Sequence, residues 1–354
     1  MVLVIDPDEL RNRGAAVFER LRAATEAPPD PQDEQGESPQ ESTVHTLPAG
    51  PSERTKAGMA TDFTLSVPPV ENIEASEDLA LPRLEGNGPE TIPKPPLPRV
   101  MAIANQKGGV GKTTTAVNLS AALAELGYRV LVIDLDPQGN ATTGLGINSR
   151  NLEATVYDVI LHDVPMEDAI EPTSLRNLFV VPATIHLAGA EIELVPVFSR
   201  ELRLRKAIEQ VTDDFDFILI DCPPSLGLLT VNGLAAATEV VVPIQCEYYA
   251  LEGLGQLLRN VNLVQTNLNP SLEVSTIVLT MYDARTRLAE QVVREVRKHF
   301  GARVCRNVVP RTVRLSEAPS FGQPIILFDS TSRGATAYRE LAKEVSGGAP
   351  QRVG

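Results

Sequence analysis

From residue 99 onward, short runs of consecutive apolar residues alternate with stretches whose apolar positions recur every three or four residues. The runs at 100–105, 129–134, 178–182, 217–221, 240–244, 275–280 and 304–309 predict strands, and the periodic stretches at 113–126, 200–211, 253–267, 289–300 and 335–344 predict helices. Continuously apolar strands are buried on both faces, and a helix between successive strands implies right-handed parallel crossovers. The expected fold is therefore α/β: a doubly wound, mostly parallel sheet with helices on both faces. Such sheets bind ligands beyond the carboxyl ends of their strands, so the residues that follow each strand carry the chemistry.

The first hundred residues have another texture. The stretch 27–98 is dense in Pro, Glu, Ser, Asp and Gly, and Phe63 is its one Phe, Tyr or Trp. It buries too little apolar surface to offset its ordering entropy, so a disordered linker is expected there. Ahead of it, within 1–26, residues 8–24 can form a short helix with Leu10, Val17, Phe18 and Leu21 on one face. That helix is either a docking peptide for an additional partner of residues 1–24 or a frayed terminus. The expected organisation is completed by a folded α/β domain at 99–346 and a flexible tail at 347–354.

Charge refines this picture. The 354-residue chain has a formal net charge of -14, but residues 280–354 carry 13 basic against 7 acidic side chains, whereas residues 1–98 carry 8 against 18. The basic C-terminal quarter can neutralise phosphates, although it holds no aromatic stacking array and no base-reading motif. No run approaches the ~18 apolar residues of a membrane helix. The start, Met-Val-Leu-Val-Ile-Asp, has an acid where a signal peptide has Lys or Arg, so an unexported cytoplasmic protein is expected. Cys222, Cys246 and Cys305 are odd in number and far apart, which excludes a disulfide framework or a four-thiolate metal site within one chain.

After the first predicted strand comes Gln106-Lys107-Gly108-Gly109-Val110-Gly111-Lys112-Thr113-Thr114, opening a predicted helix. Glycines at these positions let backbone N–H groups wrap a triphosphate, Lys112 reaches the β/γ-phosphates and the Thr113 hydroxyl can hold Mg²⁺. The loop departs from GxxxxGK[ST] at its first position, where Gln106 stands, and it carries a second lysine, Lys107. By spacing alone Lys107 is either functional or a solvated loop residue. Two other strand ends supply acids: Asp134 and Asp136 in Ile133-Asp134-Leu135-Asp136-Pro137, and Asp221 in Ile220-Asp221-Cys222-Pro223. An aspartate capping a buried strand beside a phosphate loop can hold the water shell of Mg²⁺, and Asp221 fits that position.

The segment KGGVGKTTT resembles the deviant Walker A motif of ParA/MinD-type P-loop ATPases. The blocks at 181–191, 243–253 and 309–320 extend the likeness to chromosomal ParA-type partition ATPases over about residues 99–346. The resemblance implies an ATPase that uses ATP and Mg²⁺ and forms a nucleotide-dependent homodimer. It further implies non-specific binding of double-stranded DNA in the ATP state, a ParB-like centromere-binding partner and association with the nucleoid. It carries Lys107 over as the lysine that crosses to the ATP of a second subunit, Asp136 as the residue that orients the attacking water, and Asp134 as structural or supporting. Pro310, Arg311 and Thr312 are carried over as lying near the adenine, and Arg285 and Arg314 as DNA contacts. Other basic residues, such as Arg294 and Lys298, are read as a solvated helix face. The extension before residue 99 lies outside the resemblance.

Two alternatives share the scaffold. A MinD-like positioning ATPase would need a C-terminal amphipathic helix for the membrane, which residues 340–353, interrupted by Gly347-Gly348, do not supply; no direct membrane binding is expected. An ATP-dependent metabolic enzyme would need its own acid–base residues. His162, His186 and His299 have no metal-ligand spacing, Tyr248 and Tyr249 read as packing residues, and Cys222 is either a redox switch or a small buried hydrophobe, the second being favoured.

Overall fold

The computed structural model describes residues 94–150, 152–247 and 250–348. The expected helix at 8–24, nearly all of the linker at 27–98, Tyr248–Tyr249 and most of the tail at 347–354 lie outside these residues.

The apolar runs form strands β1 (Arg99–Ile103), β2 (Val130–Asp134), β3 (Glu171–Pro172), β4 (Leu178–Val181), β5 (Phe217–Asp221), β6 (Glu239–Gln245) and β7 (Glu273–Thr280). They lie in one sheet in the order β3-β4-β2-β5-β1-β6-β7, parallel throughout except for the edge pair β3–β4. The helices are α1 (Lys112–Glu125), α2 (Asn140–Gly144), α3 (Val156–His162), α4 (Leu187–Glu193), α5 (Arg203–Ile208), α6 (Leu228–Ala236), α7 (Ala250–Asn267), α8 (Arg287–Phe300), α9 (Val313–Glu317), α10 (Ile325–Phe328) and α11 (Arg333–Ser346).

Alternation along the central strands divides the interior into two cores. Met101 and Ile103 of β1, Val130 and Val132 of β2, and Phe217 and Leu219 of β5 face one layer, where α1 and α11 supply Leu119, Leu123, Tyr338 and Leu341. Their neighbours Ala102, Leu131, Ile133, Ile218 and Ile220 face the other, covered by α3, α5, α6, α7 and α8. The doubly wound α/β arrangement expected from the sequence is the one formed. The apolar face of α11 (Tyr338, Leu341, Ala342, Val345) is spent inside this core, and Gly347 ends the helix in the left-handed conformation. Among the described residues no helix is long and apolar enough to cross a membrane.

At the amino ends of the strands, buried Arg99 makes paired bonds of 2.6 and 2.7 Å to Glu239 and donates to the Val345 carbonyl at 2.7 Å. A buried charge pair satisfied on all sides ties β1, β6 and α11 together far from the phosphate loop.

One expected strand is corrected. Residues 304–309 form no strand beside β7: Cys305 N–H reaches Ile277 O at 2.9 Å and Val309 N–H reaches Leu279 O at 2.8 Å, but the amides between them are diverted. Arg306 N–H and Asn307 N–H donate to the Glu344 carboxylate of α11 at 2.6 and 3.3 Å, so the ladder breaks in its middle. The expected helix at 200–211 is also shorter, reduced to α5. Asn232 of α6 accepts from Leu204 N–H at 3.1 Å and donates to Arg200 O at 2.8 Å, which fixes the approach to the helix in a non-helical form.

Candidate phosphate and metal site

The carboxyl ends of β1, β2 and β5 meet in register, pairing Ile103 with Asp221 and Asp134 with Asp221. The loop 104–111 springs from this edge. Asn105 fixes its base: Nδ2 donates to Pro243 O at 2.8 Å and Oδ1 accepts from Lys107 N–H at 3.0 Å. Its far side is fastened by Thr280 of β7, whose hydroxyl donates to Val110 O at 2.8 Å. Gly109 and Gly111 take φ of 72° and 88°, a region costly for any residue with a Cβ. A Cβ at Gly108 or Gly109 would meet open space, which leaves the backbone rim accessible to a ligand. α1 begins at Lys112 with no capping side chain and no acid in its first turn, so its leading N–H groups and positive dipole end are left for an anion.

The structure brings Lys112, Thr113, Asp136 and Asp221 to this one edge. Lys112 is 7% exposed, with Nζ 3.2 Å from Lys107 O; burial lowers its pKa, and Asp221, Asp136 and Cys222 oppose that shift. Asp221 is wholly buried, and neither carboxylate oxygen has a hydrogen-bond partner among the described residues. The Thr113 hydroxyl lies near enough to favour the ionised form, yet it makes no bond of ordinary geometry. Burial, then the neighbouring Asp134 carboxylate, push the Asp221 pKa well above the ordinary carboxylate range. An orphaned buried carboxylate beside a threonine and a phosphate cradle fits a divalent cation held with its water shell, whose charge would reverse that shift.

Asp134 is also fully buried, but its oxygens are used within the protein: it accepts from Asp136 N–H, Thr142 N–H and the Thr142 hydroxyl. Burial raises its pKa to about 6, against the pull of those bonds. Its supporting place agrees with the expectation. Asp136 retains slight exposure, and its Oδ1 accepts from Gln138 N–H at 3.0 Å. Lys107 stands on the rim of the loop, 35% exposed, with Nζ 3.8 Å from Glu247. Glu247, whose carboxylate also accepts from Gln245 Nε2 at 2.6 Å, was legible in the sequence only as part of a block. Thr142, Thr280 and Asn105, which hold the loops, gave no signal in the sequence.

Pro310, Arg311 and Thr312 lie at the same end of the sheet, where Pro310 bridges to Tyr282 just beyond β7. They line a cleft of about 530 Å³ with Tyr282, Asp283, Arg285 and Arg333. Arg285 is 88% exposed and bonded twice to Asp283, at 2.9 and 2.8 Å; those guanidinium bonds hold the Asp283 carboxyl down to about 2. Arg314 on α9 is 58% exposed, 3.2 Å from Glu317 and 3.3 Å from Asp329, with its guanidinium over the Phe328 ring. Both arginines thus sit on the surface, each already facing a carboxylate. Burial first, and Asp221 second, push the Cys222 thiol well above its ordinary range, and its side chain is buried in the core.

A family model described as an AAA domain matches residues 98–274. The chain is 60% identical over 248 residues to the sporulation initiation inhibitor protein Soj of Bacillus subtilis, covering 70% of this chain and 98% of that protein. It is 55% identical over 247 residues to the chromosome partitioning protein ParA of Myxococcus xanthus, covering 70% and 87% respectively. Among solved structures, the cobyrinic acid a,c-diamide synthase from Mycobacterium smegmatis with bound ADP and magnesium is similar at 43% identity and a TM-score of 0.61, over 70% of this chain and 93% of that one.

Proposed function

The chain belongs to the ParA/Soj family of chromosome-partitioning ATPases, and from that premise we propose that it works as an ATP-gated dimer. In this reading the dimer binds double-stranded DNA without sequence preference and acts with a ParB-like centromere-binding partner on the nucleoid, in the cytoplasm. The protein is an ATPase with ATP and Mg²⁺ as cofactors. The observation that carries the gating is the contrast between two lysines of one loop: Lys112 is turned into the acid-lined interior, and Lys107 is on the rim.

The residues divide the work as follows. The backbone of Gly108, Gly109, Val110 and Gly111 and the first turn of α1, with Thr113 and Thr114, would cradle the phosphates, and Lys112 would lie against the β/γ oxygens. Thr113 and, through water, Asp221 would hold Mg²⁺, which when bound neutralises charge on those phosphates. Asp136 would orient the attacking water. Lys107 would leave Glu247 for the triphosphate of the partner subunit, much as an arginine finger does. Pro310, Arg311 and Thr312 would flank the base.

A second copy also has an apolar surface to meet. Ile185, Ile192, Val195, Phe198 and Leu226 are exposed, with Phe198 at 92%. The segment holding the first four begins beside Ala183, whose carbonyl lies 3.3 Å from the place a Cβ on Gly139 would take. Large apolar side chains left exposed are a feature of protein–protein interfaces. Lys107→Ala is accordingly expected to bind nucleotide as a monomer and to lose the ATP-dependent dimer. Light scattering with ATP decides it, and a normal dimer would return Lys107 to a solvated loop residue.

Arg285 and Arg314 would contact DNA phosphates from both subunits. Each neutralised phosphate adds about 0.9 to the slope of log affinity against log salt. Arg285→Ala with Arg314→Ala, two arginines on each of two subunits, should therefore flatten the slope by roughly 3 to 4 and weaken binding alike on every duplex. Dimerisation with ATP should persist. Undiminished binding across several salt concentrations would move the DNA contact elsewhere.

A further inference from the structure

The loop bearing Asp136 is closed by a single carboxylate. Asp134, the last residue of β2, accepts from Asp136 N–H through Oδ1 at 3.2 Å. Through Oδ2 it accepts from Thr142 N–H at 2.8 Å and from the Thr142 hydroxyl at 2.7 Å. The same hydroxyl accepts from Ala183 N–H, just beyond β4, at 2.9 Å. Residues 136–142 are thus gripped at both ends by Asp134 and tied sideways to the neighbouring strand end. Every one of these atoms is buried, where hydrogen bonds are stronger and their loss leaves costly orphans.

We infer that Asp134 and Thr142 are positioning residues that set the place of Asp136, and that the Thr142 hydroxyl acts as the clasp by donating to Asp134 while accepting from Ala183. The inference rests on Asp136 orienting the attacking water. The chain of cause runs from strand end to loop to chemistry. β2 and β4 are paired neighbours inside the sheet, and the hydroxyl transmits their spacing to the loop. Asp136 then needs no rearrangement when ATP is bound. A displacement of about 1 Å in such a group can cost a hundredfold in rate.

The clasp separates hydroxyl from shape, so the test uses Thr142→Val, nearly isosteric without the hydroxyl, and Thr142→Ser, which keeps it. Thr142→Val is expected to lower kcat between about ten- and a hundredfold, with KM and ATP affinity within about twofold of wild type; Thr142→Ser should restore most of kcat. Asp134→Asn disturbs a fully buried group and is open to misfolding, so the Thr142 pair, verified by thermal melts, carries the decision. The double variant Asp136→Ala with Thr142→Val should turn over no more slowly than Asp136→Ala alone, because a clasp acting through Asp136 has nothing left to position. Wild-type kcat in Thr142→Val, parallel loss of ATP affinity and kcat without rescue by serine, or a further loss in the double variant would each overturn the inference. Wild-type turnover in Asp136→Ala would instead remove the reading of Asp136 itself, whatever the Thr142 variants do.

Discussion

Lys112→Ala should lose ATP binding, its dissociation constant rising about a hundred- to four-thousandfold. Removing one partner from a buried charged contact costs about 3–5 kcal/mol, and about 1.4 kcal/mol is a factor of ten. Lys112 is buried where its charge counters that of Asp221, so its loss also leaves that acid less compensated and further raises its resistance to ionising. Both effects oppose a triphosphate carried with Mg²⁺. Titration calorimetry with Mg-ATP reads the change directly. An affinity within about threefold of wild type would mean that the backbone cradle alone holds the phosphates.

Asp136→Ala should do the opposite, binding ATP within about threefold of wild type while phosphate release falls by about a hundredfold or more, the usual scale of a positioned acid–base group. The difference follows from place. Lys112 belongs to the cradle, whereas Asp136 sits on the neighbouring loop, bonded to Gln138 and held by Asp134. With hydrolysis suppressed, the ATP dimer should persist, and light scattering on the same sample should show it. Wild-type phosphate release would remove Asp136 from the chemistry.

Much of this architecture is legible in the sequence because buried parallel strands announce themselves as apolar runs. Five of the expected strands extend to within one or two residues of β1, β2, β4, β5 and β6, and the run at 275–280 lies within β7. Arg306 and Asn307 show where such reading ends. Their surroundings look strand-like along the chain, but Glu344, more than 35 residues away, takes their amides. Helix α6 escaped because Leu-Leu-Thr-Val-Asn-Gly-Leu-Ala-Ala is apolar on nearly all sides, with Gly233 packed against Cys222 where a side chain would intrude, so no 3.6-residue rhythm marks it. At the site, Lys107, Lys112, Asp136 and Asp221 stand out as charged residues at strand ends, and Thr113 stands out only because it follows the Gly111-Lys112 pair of a phosphate loop. Thr142 and Thr280 do not, since a threonine advertises nothing until the carboxylate or carbonyl it bonds is found from another part of the chain.

The central claim is that nucleotide gates DNA binding, and fluorescence anisotropy of a labelled duplex titrated with the full chain in Mg-ATP, Mg-ADP or no nucleotide tests it most directly. Tight binding with Mg-ATP alone, equal on duplexes of unrelated sequence and weakened steeply by salt, is the result predicted from exposed Arg285 and Arg314 brought together in a dimer. Equal affinity in all three nucleotide states, or preference for one sequence, would contradict it.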